Sequence, residues 1–230
     1  MRCPYCFQMF DQLPCGDEGS DMTEEEMIVA GGMLRDRGII VRKLRFSGGE
    51  PLLHPNVKRL SELAKERWRP TGWFKIFTGG IPAGMERGDL PRAGRLRWNP
   101  PKAKAVFHQP VLVSPLDVGL KMVWGVGRPC KFQAKCGAAF DAYGFSPCTR
   151  AWSLGRLFGF EVHSREPSLV GWEELCRHCL HSVSEADRLK VRRDVLAGKM
   201  EYPSRTFRWA IKRRRAKGFL PLKRFGERRL

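Results

Sequence analysis

No stretch of this 230-residue chain approaches the roughly 18 consecutive apolar residues that a membrane-spanning helix needs. The first residues also lack the basic, apolar and small-residue order of a secretory signal. Together these absences predict a cytoplasmic protein with no membrane partner. Acidic residues are scarce, 24 against 42 Lys and Arg, so the formal net charge is +18. The imbalance is greatest from Leu189 to Leu230, where 15 basic residues face 3 acidic ones and leave +12. Such a tail attracts nucleic acid or another polyanion, or serves as a solvated face. Histidine is scarce too, and His54 and His108 have no partner at a metal-ligand spacing. No internal repeat is visible, which argues against a solenoid. What is there is an ordinary 42% of apolar residues and room for one medium domain plus a small one. Eight cysteines in a chain expected in the cytoplasm argue for metal or redox chemistry rather than a disulfide framework.

The N-terminal segment from Cys3 to Ser20 reads as a loop, punctuated by Gly, Pro and Asp. Thr23 and Glu26 have capping-box spacing, and Met27, Ala30, Gly31 and Leu34 share one helical face that ends near Gly38. Ile39 to Phe46 follows as a predicted strand. Asn56 is a candidate cap for a second helix with Val57, Leu60, Leu63 and Ala64 inward. Trp73 to Thr78 suits a buried strand, and Ala105 to Val113 a further one, edge-like because of Pro110. Ile81 to Lys104, rich in Gly, Pro and Arg, reads as a long loop or insertion. A helix is expected to begin near Ser184. The alternation of helices and strands predicts an α/β unit with parallel strands.

Two constellations carry chemistry. Cys3-Pro-Tyr-Cys6 pairs two soft thiol ligands at a spacing used for zinc and for iron–sulfur clusters. Ser47-Gly48-Gly49-Glu50-Pro51 follows a predicted strand, where two glycines admit a ligand close to the backbone and a carboxylate can meet an ammonium group. Further on, Cys130, Cys136 and Cys148 surround Tyr143-Gly144-Phe145-Ser146-Pro147, and Cys176-Arg-His-Cys179-Leu-His181 follows. A glycine-centred hairpin would return two thiols to one side, and the later pair would complete a four-thiolate site. Zinc accepts the same ligands, histidine included.

CPYCF and SGGEPLLHP together resemble the radical S-adenosylmethionine (SAM) superfamily. The resemblance implies a [4Fe–4S] cluster on a C-x3-C-x-aromatic-C loop, matched here by Cys3, Tyr5 and Cys6. It implies that Gly48, Gly49 and Glu50 hold the SAM amino group, and that SAM is cleaved reductively to a 5′-deoxyadenosyl radical. The motif's first cysteine would fall two positions before Met1, so the sequence is expected to begin inside its own motif. Cys15 as the third ligand, or a degenerate relative that no longer makes radicals, are the alternatives. Asp117, after a strand, is a candidate for a SAM ribose hydroxyl or for a turn.

The cysteine-rich region resembles the auxiliary-cluster domains called SPASM and twitch. It implies a second [4Fe–4S] cluster on four of Cys130, Cys136, Cys148, Cys176 and Cys179. The architecture expected is a shortened, open partial (β/α) barrel over 1–120, a twitch-like domain over 121–188 and a basic tail over 189–230. The implied substrate is a peptide or protein, with nucleic acid as a second partner class and an external low-potential electron donor. The rivals are a zinc-binding, non-enzymatic nucleic-acid-binding protein and an inactive fragment.

Overall fold

The computed structural model of the chain describes residues 21–98, 112–123, 130, 137–167, 173–217 and 224–225. They fall into two compact units, the first containing 21–98 and the second everything described from 112 onward.

In the first unit, α1 (Glu24–Asp36) starts on the expected capping box. Thr23 Oγ1 accepts the Glu26 N–H at 3.2 Å, and the Glu26 carboxylate accepts the Thr23 N–H at 2.8 Å. Two donors that a helix start leaves orphaned are thereby satisfied. Gly38, at φ 63°, turns the chain out of the helix. Met27, Ala30, Gly31 and Leu34 are buried as the spacing predicts. At Gly31 a Cβ would come within 2.9 Å of Arg67 and Trp68, so glycine is what lets α1 approach the second helix closely. That helix, α2 (Val57–Leu63), runs on into a π turn, Ala64–Trp68. Asn56 occupies its N-cap but makes no side-chain cap bond. The His54 carbonyl accepts the Val57 N–H instead, at 3.1 Å.

The sheet is parallel in the order β1 (Lys43–Phe46), β2 (Trp73–Thr78), β3 (Arg95–Trp98). The chain is therefore α/β with parallel strands, as expected. β1 is shorter than the predicted Ile39–Phe46. Before Lys43 the Ile39 N–H still bonds back to the Leu34 carbonyl, the Val41 and Arg42 carbonyls accept from the turn at Thr71 and Gly72, and Ile40 is 71% exposed. β3 lies inside the stretch read as a loop. With four residues, and arginine at every second one, it offers no apolar run to detect. A one-turn 3-10 helix, Arg87–Asp89, stands between β2 and β3. The core of this unit joins Met27, Leu60 and Leu63 of the helices to Phe74 and Ile76 of β2. The strand predicted over Ala105–Val113 lies outside the described residues except for Leu112 and Val113, which are buried but not in a strand.

The second unit contains the hairpin β4 (Ala139–Asp141) and β5 (Gly144–Ser146), then α3 (Ala151–Phe158), α4 (Glu173–Arg177), α5 (Glu185–Leu196) and α6 (Arg205–Lys217). Ser184 caps α5 as predicted, accepting the Asp187 N–H at 3.1 Å. The basic stretch from 189 is not a separate tail up to Lys217. Phe207, Ala210 and Ile211 of α6 pack with Leu154 and Leu157 of α3 in one cluster. Arg214 also turns inward, its Nε donating to the Leu157 carbonyl at 3.0 Å. Of the aromatics on α6, Phe207 is fully buried and Trp209 is 57% exposed. Among the described residues no helix is long and apolar enough to cross a membrane.

Candidate functional site

The turn after β1 carries Gly48, Gly49 and Glu50 at the C-terminal edge of the parallel sheet, where α/β folds open their binding crevices. A Cβ added at Gly48 or Gly49 would meet no atom within 4 Å. The protein's own packing therefore does not require glycine there, and room is left beside the backbone for another group. The turn after the neighbouring β2 repeats the pattern as Thr78-Gly79-Gly80. Thr78 Oγ1 accepts the Gly80 N–H at 3.1 Å and donates to the Gly80 carbonyl at 2.8 Å, and a Cβ at Gly80 would again meet nothing. Glu50 ties the two turns together. One carboxylate oxygen accepts the Leu52 N–H at 3.1 Å, and the other accepts the Gly79 N–H at 2.7 Å. An ionised carboxylate has about four lone-pair sites, so two bonds leave capacity for a cationic ligand group. Sequence reasoning misses Gly79 and Gly80, whose signal is a second Gly-Gly directly after a strand.

In the second unit the expected hairpin is formed by β4 and β5, with Gly144 opening the second strand and Cys148 two residues beyond it. Gly144 sits at φ 126°, and a Cβ there would lie 2.7 Å from the Ser164 carbonyl oxygen. Only glycine satisfies both conditions. Cys130, Cys148, Cys176 and Cys179 are half-buried thiols. Burial pushes the Cys148 and Cys176 thiols up to about 12 and raises Cys179 as well. Beyond burial, each of these thiols is raised further by others among the four, so their thiolate forms would oppose one another. Four such groups can be deprotonated together only if a cation joins them. Arg150, whose side chain is fully buried, adds positive charge that favours the Cys179 thiolate. Thiolates are ligands for zinc and for iron–sulfur centres, but among the described residues no three His, Cys, Asp or Glu side chains stand in ligating positions.

The neighbouring histidines have other roles. His178 stacks on Phe158, with centroids 4.2 Å apart and 14° between planes, and its Nδ1 faces Ser114 Oγ at 3.4 Å. His181 is buried, and that burial together with Arg150 and Arg188 pushes its pKa down to about 3. Its Nδ1 lies 3.5 Å from an Arg188 nitrogen. Asp117 belongs to the second unit, and its carboxylate closes the N-terminus of α6. It accepts from Ser204 Oγ at 2.5 Å, from the Thr206 N–H at 2.8 Å and from Thr206 Oγ1 at 2.6 Å. Burial alone would raise its pKa, and these bonds outweigh that and lower it. Cys3, Tyr5, Cys6, Cys15 and Cys136 lie outside the described residues.

Over 65 residues the chain is 40% identical to GTP 3′,8-cyclase of Chlorobaculum tepidum, a match covering 28% of this chain and 18% of that enzyme. The chain thus matches less than a fifth of that relative's length. No family model and no solved structure matches. The cyclase is a radical SAM enzyme, and the shared stretch supports a relation of this chain to that superfamily.

Proposed function

We propose that the protein is a radical SAM enzyme in which the two Gly-Gly turns of the parallel sheet receive SAM. The observation behind this reading is Glu50, whose carboxylate spans the turns after β1 and β2 beside glycines that the packing leaves open. Glu50 would meet the SAM ammonium, and Gly48, Gly49 and Gly80 would let the ligand lie against the backbone. Cys3 and Cys6 would hold a [4Fe–4S] cluster, with Cys15 as a candidate third ligand. When bound, cluster and SAM supply one-electron cleavage chemistry, driven by an external low-potential donor.

Four of Cys130, Cys136, Cys148, Cys176 and Cys179 would hold the auxiliary cluster. The sheet would be part of a shortened, open barrel. Four thiolates suit zinc as well as iron–sulfur, and metal content separates the two. The peptide or protein substrate implied by the resemblance has no described residue behind it.

Anaerobic calorimetric titration with SAM tests the reading. Glu50→Ala should weaken SAM binding about tenfold to a hundredfold, since a hydrogen bond to a charged group contributes about 1.5–3 kcal/mol. Iron content should be unchanged, because the carboxylate touches ligand and backbone rather than metal. Equal SAM affinity in the two proteins would remove Glu50 from the site.

A further inference from the structure

The parallel sheet has two unlike faces. Phe74, Ile76 and Thr78 of β2 are buried, and Phe74 and Ile76 join the helices in the core. The alternate residues of β2 point the other way: Trp73, Lys75 and Phe77, all half-buried. Strand register places Lys43 beside Trp73 and Arg45 beside Lys75 on one flank, and Arg95 beside Lys75 and Arg97 beside Phe77 on the other. Lys43, Arg45, Arg95 and Arg97 are exposed, and no residue of this second face is acidic. The Arg45 guanidinium lies 4.7 Å from the centroid of Phe77 and 5.6 Å from that of Trp73, and the Lys75 ammonium lies 4.4 Å from that of Trp73.

We propose that this face binds single-stranded nucleic acid, with bases stacking on Trp73 and Phe77 and phosphates meeting the flanking cations. Aromatic rings on the exposed side of a sheet stack successive bases without strong sequence preference, and guanidinium planes add to that surface. Neighbouring strands lie about 4.8 Å apart and alternate residues about 6.6 Å apart. The cations therefore border the two rings on both flanks, where a backbone passing over stacked bases would run. A net charge of +18 favours a polyanion over a single nucleotide. DNA and RNA share the chemistry used. Binding does not depend on the SAM reading; taken with it, a nucleic-acid strand replaces a peptide as the substrate class, and that assignment rests on the SAM reading.

The test is fluorescence anisotropy of labelled ten-nucleotide oligothymidine and oligouridine with the full chain, over a series of salt concentrations. Arg45→Gln with Arg97→Gln, both at exposed positions, should weaken binding and flatten the log–log salt slope by about 1.4, which is about 0.7 for each phosphate no longer neutralised. Trp73→Leu should cost about fivefold to a hundredfold, and Trp73→Phe should keep most of the affinity. Unchanged affinity and slope in the folded double arginine variant would overturn the proposal. So would GTP competing as well as the oligonucleotide, or Lys212→Gln with Arg213→Gln on α6 alone reproducing the whole loss. SAM titration of the same variants separates the two readings. Weakened strand binding with SAM binding intact is the expected result for the arginine pair. A parent protein that binds SAM but no strand defeats this inference alone, and one that binds a strand but no SAM defeats only the enzyme reading.

Discussion

His163 shows how a buried side chain in this protein ties stability to pH. Its imidazole is 1% exposed, with Nε2 3.1 Å from the Asp141 carboxylate and Nδ1 3.4 Å from that of Glu161. Burial alone would lower its pKa, but the two carboxylates more than offset that and raise it to about 9, against 6.5 for the free side chain. The folded state thus binds this proton more tightly than the unfolded state does. The stabilisation is complete below about pH 6.5 and is lost as pH rises through about 9. Its size is about 1–3 kcal/mol. Urea melts of the full chain at pH 6 and pH 9.5 should show the second unit weakening by that amount. His163→Gln should lower the pH 6 stability and remove most of the pH dependence. A parent protein equally stable at both pH values would show that the pair contributes nothing.

At the scale of elements, Asp117 ties a 3-10 turn to a helix far along the chain, closing the start of α6 with three accepted hydrogen bonds. Asp117→Ala should destabilise the second unit by about 1–3 kcal/mol, because Ser204 and Thr206 lose their acceptor. Thermal unfolding of the two proteins measures it, and an unchanged midpoint would contradict the capping role. That role was not legible in the sequence, since it joins residues 89 positions apart. Local features were legible. The Thr23–Glu26 box, the inward stripe of α1, β2 and the hairpin at Gly144 all follow from patterns within a few residues of one another. β3 was missed because four residues with an arginine at every second position form no apolar run that stands out from the Gly-, Pro- and Arg-rich stretch around them. The Gly48–Glu50 turn was legible as a motif, but the part Gly79 and Gly80 play in it required the register of two strands. The thiols of the second unit were legible as candidates from their spacing in the sequence.

The distribution of charge belongs to the whole molecule. α6 buries Phe207, Ala210 and Ile211 and turns Arg208, Lys212, Arg213 and Arg215 outward, so the basic C-terminal stretch is anchored through its own apolar stripe. Deleting it would remove part of the second unit's core, and only charge-neutralising substitutions test its attraction to polyanions. The two candidate metal centres are likewise a property of the entire chain. The second unit offers Cys130, Cys148, Cys176 and Cys179, with a buried Arg150 favouring the Cys179 thiolate, whereas the N-terminal motif supplies Cys3 and Cys6. The central claim is most directly tested by counting iron and labile sulfide in anaerobically purified protein, as the parent and as the Cys3→Ala, Cys6→Ala double variant. The account predicts about four irons for each [4Fe–4S] cluster held and a lower count in the variant. The parent's iron should appear together with 5′-deoxyadenosine formation from SAM under a strong reductant, and the variant should lose that activity. Colourless, folded protein holding stoichiometric zinc and no iron in both forms would contradict it.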